Sequence, residues 1–326
     1  MNATERTILE QFGYWRDALD LDLGPAHLEP GVPVVVIGCG TSYYLAQTIA
    51  SGFVSHGLEA IAVPGGEWNL RPESYVPVRK RVQVLALSRS GETTETVAAA
   101  RRSLERGERV IGLTCEADSS LTRACTACVS IPTHPEEDIV MTTSASLMLL
   151  VGLALVGLSL GGSRLTIAGM NRAQAMLETA RPRLDGLVRD RAHFVFLGGG
   201  ALYGIAQEGA LKLMEMSLSY SQAYHPLEYR HGPISLVDQS TLAVMLYQPQ
   251  TLQEETALVN ELRAKGASVI GVGGPGDLSF ELTEADPALR GLIALPTLQW
   301  LGERVAQSKG LNTREPRHLT KVVMLS

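Results

Sequence analysis

The chain has 326 residues, of which 45% are hydrophobic and 19% charged, and carries a net charge of -6. That length suits one large or two ordinary domains with substantial cores. Basic residues are dispersed without a Lys/Arg block, which gives no reason to propose nucleic acid, and only 5% of residues are aromatic, which argues against the stacking platforms of single-strand binders.

Residues 4–21 carry Ile8, Phe12, Trp15 and Leu19 at helical spacing and read as a helix packed on the adjoining domain. The start is therefore expected to be an amphipathic helix and not a secretory leader. After Pro30, Gly31 and Pro33, residues 34–37 form a β-branched run typical of a central parallel strand. It ends in Gly38-Cys39-Gly40-Thr41-Ser42, ahead of a helix to about Phe53. A dinucleotide fingerprint is incomplete here, because Tyr43 fills the third-glycine place and the first acidic residue afterwards is Glu59.

Strands are predicted at 58–63 and 82–87, a helix at 92–106, strands at 110–114 and 128–131, and a helix at 144–160. Strands separated by helices mean βαβ units and a parallel sheet covered on both faces. The most apolar window, 145–160, contains Gly and Ser and reads as falling short of a membrane span, so a soluble, cytoplasmic protein is expected. Gly161-Gly162-Ser163 closes this unit. A connecting helix follows at 171–188, with Pro182 expected to break or bend it. Then come a strand at 194–197, Gly198-Gly199-Gly200, a helix at 201–219, a strand at 242–246, a helix at 252–265 and a strand at 269–272. The same succession appears twice, so the expected architecture is two copies of one α/β domain: residues 1–165 with the N-terminal helix, and 166–326 with the connecting helix and a C-terminal tail.

The strand at 82–87 breaks into Ser88-Arg89-Ser90-Gly91-Glu92-Thr93 before a helical segment. Hydroxyls crowded at a helix start, where backbone N–H groups lack partners, suit a phosphate dianion. Arg89 adds charge and Gly91 allows close approach; Thr41 and Ser42 form a second turn of the same kind. The alternative is an ordinary N-cap made by Ser90 with Glu92 in the first turn. Cys125 and Cys128 have C-x-x-C spacing, but no second ligand pair follows, so they read as small buried thiols and not as a zinc or redox site.

Glu208, Lys212 and Glu215, at offsets 0, 4 and 7, share one stripe of the 201–219 helix. Spacing alone favours a salt-bridged solvent face. The preceding glycine turn and the polar loop after the helix favour a ligand crevice instead. That loop holds His225 and His231, the latter fixed before Gly232-Pro233 and suited to moving protons near neutrality. Near the end, Lys321 precedes an apolar strand predicted at 322–325 and reads on its own as a surface lysine.

Four stretches together resemble the double SIS-domain sugar isomerases, particularly the isomerase domain of glucosamine-6-phosphate synthase. They are Gly38-Cys39-Gly40-Thr41-Ser42, Ser88 to Thr93, Glu208 to Glu215 with His231-Gly232-Pro233, and Lys309-Gly310-Leu311 continuing to Pro316-Arg317-His318-Leu319-Thr320-Lys321. The resemblance implies two tandem SIS domains, each a flavodoxin-like three-layer sandwich. It further implies that Thr41, Ser42, Ser88, Arg89, Ser90, Thr93, Val140 and Thr320 contact a phosphorylated sugar. Glu215 matches the base that moves a proton between C1 and C2, Lys212 the lysine of the same group, and His231 the ring-opening histidine, which the neighbouring subunit contributes. Lys321 matches the tail lysine that approaches the open-chain carbonyl. A homodimer without cofactor or metal is implied by the same resemblance.

The departures are specific. The synthase's glutaminase domain and its nucleophilic cysteine are absent from this sequence, so a glutamine-independent reaction is expected. Arg89 replaces a glutamine, as in the stand-alone isomerase and deaminase branch. Ser144 replaces a lysine, and Thr320 an alanine. The favoured expectation is conversion of glucosamine 6-phosphate to fructose 6-phosphate and ammonia. The alternatives are a fructosamine-6-phosphate deglycase and a non-catalytic sugar-phosphate-binding regulator. No nucleic acid and no membrane is expected as a partner.

Overall fold

Continuous apolar runs, buried on both faces, build the central strands of two five-stranded sheets in which every pairing is parallel. The computed structural model describes residues 1–161 and 164–323. Two units divide them: Glu10–Leu165 with the described residues from Thr320 onward form the first, and Met1–Leu9 with Thr166–Leu319 form the second.

After helix α1 (Ala3–Leu19), the first unit runs through β1 (Val34–Gly38), α2 (Thr41–Ser55), β2 (Ala60–Pro64), α3 (Gly65–Leu70), β3 (Gln83–Ser88), α4 (Thr94–Glu105), β4 (Arg109–Thr114), β5 (Ala127–Ser130) and α5 (Thr143–Leu160). Strand order is β2-β1-β3-β4-β5, a flavodoxin-like order whose topological switch point lies between β1 and β3. Ile37 of β1 pairs with Ala86 of β3, so the turns after the two strands leave the same carboxyl edge. One face of the sheet packs Ile37, Val84, Ala86 and Val110 against Trp68, Val97 and Ala100 of the helices. Trp15 of α1 is fully buried and donates its indole N–H to Ser146 Oγ of α5 at 2.7 Å.

By length and composition α5 is apolar enough to cross a membrane, contrary to the sequence reading; 78% of that window is buried inside the protein. Small residues allow this packing: a Cβ on Gly52 of α2 would touch Leu153 and Val156, and one on Gly152 would overlap Ile49. Gly161 ends the helix in a left-handed conformation; Gly162 and Ser163 of the expected closing turn lie outside the described residues.

The second unit contains α6 (Ile167–Val188), β6 (His193–Gly198), α7 (Ala201–Ser217), β7 (Ser221–Tyr224), β8 (Thr241–Leu246), α8 (Leu252–Ala264), β9 (Ser268–Val272), β10 (Leu278–Phe280) and α9 (Pro287–Ser308). Its order, β10-β9-β8-β6-β7, repeats the first unit's topology strand for strand. Helix α6 runs through Pro182 without a break. Pro182 and Glu178 are both exposed, so the carbonyl released one turn back can reach water, which removes much of the expected cost.

Three features of this unit and the tail depart from the sequence reading. Strands β7 and β10 are short edge strands without the apolar run that marks the others. Helix α9 is absent from the sequence expectations, although Asp286 caps it by accepting from Ala288 N at 2.8 Å and Pro287 occupies its first turn. Almost all of α9 is buried, and it packs on α7 where glycines remove the side chain. A Cβ on Gly209 would lie 3.1 Å from Leu298 of α9; one on Gly302 would lie 3.0 Å from Met216 Sδ and 3.3 Å from Lys212 O. The tail is the third: the strand predicted at 322–325 is absent at Val322 and Val323, and its remainder lies outside the described residues.

The chain's first residues are tied to α9 and to Thr313 beyond its end. Asn2 Nδ2 donates to Glu303 Oε1 at 2.7 Å, Gln307 Nε2 donates to Glu5 Oε1 at 2.8 Å, and Thr313 Oγ1 donates to Thr4 Oγ1 at 3.0 Å. A short helix in the first unit, α3, is likewise new; its Trp68 donates to Ser103 Oγ at 2.9 Å.

The close approach of α7 and α9 predicts that Gly302→Leu lowers stability by about 2 kcal/mol, the usual scale of overpacking a tight core. A urea titration followed by circular dichroism measures it, and an unchanged midpoint would show that the contact at Gly302 can relax.

Candidate functional site

The turn after β3 is held in one shape by its own hydroxyls. Ser88 Oγ donates to Thr93 Oγ1 at 3.3 Å and accepts from Gly91 N at 3.1 Å, while Ser90 Oγ accepts from Glu92 N at 3.1 Å. Gly91 sits at φ +64°, and a Cβ there would lie 2.1 Å from Ser119 Oγ, so no other residue fits. Neighbouring segments brace the turn: Cys115 N donates to Arg89 O and Leu121 N to Gly91 O, both at 2.9 Å, and Ser120 N donates to Glu92 Oε1 at 2.7 Å. The bonds from Ser120 hold the Glu92 carboxyl below the usual carboxylate range.

Helix α4 starts at Thr94 with Thr93 as N-cap, so Ser90 stands outside the helix and the simple Ser90 cap is ruled out. Thr93 makes no side-chain capping bond. The turn thus gathers Ser88, Ser90 and Thr93 at a helix N-terminus. Thr41 and Ser42, both buried, begin α2 at the end of the neighbouring strand. Gly38 makes that turn possible, since a Cβ there would overlap the Ser42 backbone at 2.6 Å.

Arg89 does something other than add charge to an open anion site. It is buried; Nη1 donates to Asp138 O and, at 3.2 Å, to Ile139 O, and Nη2 donates to Lys321 O at 2.6 Å. Glu137, which the sequence reading does not single out, shapes the same loop. Its Oε2 accepts from Thr142 N at 3.0 Å, Thr142 Oγ1 at 3.1 Å and Ser144 N at 2.9 Å, so a carboxylate occupies the start of α5. Val140 lies buried within this loop.

The equivalent corner of the second unit is built differently. Gln248, after β8, donates its side-chain amide to Gly199 O at 2.7 Å, and Glu255 accepts from Gln248 N at 2.9 Å and Thr251 Oγ1 at 2.8 Å. Burial raises the pKa of Glu255. A protein carboxylate therefore stands at the start of α8, where the first unit has hydroxyls at the start of α4.

The second unit carries the charged stripe instead. Glu208 and Lys212 are 0% and 1% exposed, against a solvent-face expectation, and Glu215 is 20% exposed at its side chain. Lys212 Nζ donates to Glu215 Oε2 and lies 3.7 Å from Glu208 Oε1. The spacing of three charges could not reveal this burial; α9 packs on the same helix, with Gly302 against Met216 and the backbone of Lys212 and Leu213. At the end of α7, Lys309 Nζ donates to Ser219 Oγ at 2.6 Å and Ser217 O at 3.3 Å; burial lowers its pKa.

His231 comes after a 3-10 turn, Glu228–Arg230, and is exposed. The turn is anchored by fully buried Tyr229 and by Arg230, whose Nε and Nη2 donate to Glu261 at 3.0 and 2.8 Å. Gly232 has φ +121°, which gives the loop its reversal. His225 stacks on Tyr203 with ring centroids 4.0 Å apart, a structural setting. In the tail of the first unit, Thr320 and Lys321 are exposed, and Thr320 Oγ1 donates to Val322 O at 3.0 Å.

All four cysteines are free. Cys125 and Cys128 are half-buried, facing Gly112, where a Cβ would lie 2.7 Å from each sulfur. Among the described residues, no three His, Cys, Asp or Glu side chains are arranged to hold a metal ion.

Residues 33–157 and 187–276 match the family model for the SIS domain. Among curated proteins, the chain is 32% identical to the glutamine–fructose-6-phosphate aminotransferase [isomerizing] of Thermus thermophilus, covering 94% of this chain and 54% of that protein. The chain thus spans about half the length of the curated relatives it matches. Among solved structures, a glucosamine-6-phosphate deaminase from Thermotoga maritima is 32% identical with a TM-score of 0.89, covering 99% of this chain and 100% of that one. The tagatose-6-phosphate ketose/aldose isomerase of Escherichia coli is 25% identical with a TM-score of 0.79, covering 95% and 93%.

Removing the buried ammonium should be costly whatever the reaction. Lys212→Met is expected to destabilise the second unit by about 3 kcal/mol, because Glu208 would remain buried beside an apolar side chain. Glu215→Gln, at a half-open position, should cost less than half as much. Thermal melts of both variants test the ranking, and equal losses would contradict it.

Proposed function

The chain belongs to the SIS domain family, and from that premise we propose that it is a sugar-phosphate isomerase/deaminase, with glucosamine 6-phosphate to fructose 6-phosphate plus ammonia as its favoured reaction. The observation that carries the reading is the Glu208, Lys212 and Glu215 array: two buried charges support one carboxylate that is partly open, an arrangement too costly for a solvent-facing ion pair. Full-length similarity to a solved glucosamine-6-phosphate deaminase supports the choice of substrate. Similarity to a ketose/aldose isomerase supports the proton-transfer step that the two reactions share.

The phosphate is assigned to Ser88, Ser90, Thr93, Thr41 and Ser42, where hydroxyls and helix starts offer donors to a dianion. Binding there is remote from the reacting carbons and serves to orient the open chain. The sugar end is assigned to Val140 and Thr320. His231 opens the ring by proton transfer. Glu215 takes the C2 proton and returns it at C1, while Lys212 or Lys321 stabilises the oxygen that gains charge. The aldehyde thereby becomes an alcohol and the C2 amine a ketimine; water adds to that carbon and ammonia leaves, giving the ketose phosphate. Glutamine takes no part in this scheme, and neither does a cofactor.

A homodimer in which the neighbouring subunit supplies His231 belongs to the same proposal. Supporting it, His231 is exposed on a stretch that also exposes Leu218, Tyr220, Leu227 and Leu236. A cytoplasmic setting belongs to it as well.

Purified protein given glucosamine 6-phosphate without added cofactor should release ammonia and fructose 6-phosphate in equal amounts. Glu215→Gln should lose at least about 10³-fold in kcat while fructose 6-phosphate still binds, as expected when a group acts only in the transition state. Turnover by Glu215→Gln comparable to that of the parent would remove Glu215 from the base role. Binding without turnover in the parent would redirect the reading to fructosamine phosphates and then to a sugar-phosphate regulator.

A further inference from the structure

Arg89 lies inside the turn assigned to phosphate, yet its guanidinium spends its donors on backbone carbonyls of two distant segments. Nη1 bonds Asp138 O and Ile139 O; Nη2 bonds Lys321 O at 2.6 Å. The residue is 8% exposed, and its own carbonyl is fixed by Cys115 N at 2.9 Å and Thr114 Oγ1 at 3.1 Å. The first target is rigid, because Glu137 gathers three donors that close its loop onto α5. Among the described residues, the second target has little else to hold it. Leu319 and Val323 are 38% and 52% exposed, Lys321 and Thr320 are exposed, and no strand forms at Val322 or Val323. A tail with so little buried apolar surface frays unless a polar anchor holds it.

We propose that Arg89 is a positioning residue, a latch that fixes the tail backbone at Lys321 beside the Ser88 to Thr93 turn and so sets where the Lys321 ammonium and Thr320 stand. A planar guanidinium with forked donors can bridge two chain segments at once, which a lysine ammonium on a flexible stem does poorly. The catalytic consequence rests on the function proposed above; the latch does not. It couples the turn to the tail: disturbing Arg89 from either side releases the other.

The bond that Arg89 holds is itself a protease site, since Lys321 O belongs to the peptide bond that trypsin cleaves after Lys321. Limited trypsin digestion of full-length protein, followed by intact-mass spectrometry, reads tail opening with no need for turnover. Cleavage after Arg317 in the same chain serves as the internal reference. In Arg89→Ala, cleavage after Lys321 should rise about tenfold relative to cleavage after Arg317, the signature of an opened local equilibrium. Arg89→Lys, which keeps the charge, should give an increase in the same direction and guards against a folding defect in the alanine variant. On the proposed reaction, both variants should lose about ten- to a hundredfold in kcat with inorganic phosphate affinity changed by less than about threefold. Unchanged cleavage after Lys321 in both variants would overturn the latch. A loss of phosphate affinity as large as the loss in kcat would overturn it too, making Arg89 a phosphate ligand. If the parent turns over none of the sugar phosphates, the proteolysis still decides the latch, and only the functional reading falls.

Discussion

Burying an ammonium and a carboxylate on one helix costs several kcal/mol per charge before any pairing is counted, and the second unit is arranged around that constraint. Lys212 lies near Glu208 and bonded to Glu215, so the cation has an acid on either side along the same stripe. Helix α9 packs closely on α7, with Gly302 against the Lys212 and Leu213 backbone and Gly209 facing Leu298. The remaining faces of α7 meet β6, β7 and apolar neighbours, which leaves Glu215 as the one member of the trio with part of its side chain open.

The two units show how one topology can be given different chemistry by a few residues at the ends of its strands. Both sheets have the same order, and both place a turn at the switch point where open α/β sheets bind ligands. In the first unit that corner is lined by small hydroxyls and a positive-φ glycine. In the second, Glu255 supplies a negative charge from the protein and Gln248 spans the notch to Gly199. The two corners therefore present different charge, although the strand order around them is the same.

Much of the fold was legible in the sequence. Central strands such as β1, β3, β6 and β8 are continuous apolar runs because both their faces are covered, and glycine turns mark where they end. The second unit's edge strands were not legible: Ser221–Tyr224 has no apolar run to betray it, unlike the edge strands β2 and β5 of the first unit. Helix α9 carried an Asp-Pro start signal, but its apolar character all round and its internal Pro296 obscure the helical period. At the site, residue types and turns were readable, whereas directions were not. Arg89 points to partners 49 and 232 residues away, and α7 packs against a helix that begins more than 70 residues downstream. Local spacing holds no record of such distant neighbours.

The exchange of chain ends bears on how this protein can be taken apart. Met1–Leu9 belongs with the second unit, and the described residues from Thr320 onward belong with the first. Cutting the gene at Leu165 would give two fragments, each stripped of a short piece that the other carries. The natural modules are discontinuous in sequence, so an excised half needs its missing peptide grafted back or supplied in trans. Two units of one strand order are therefore not two interchangeable halves of the sequence.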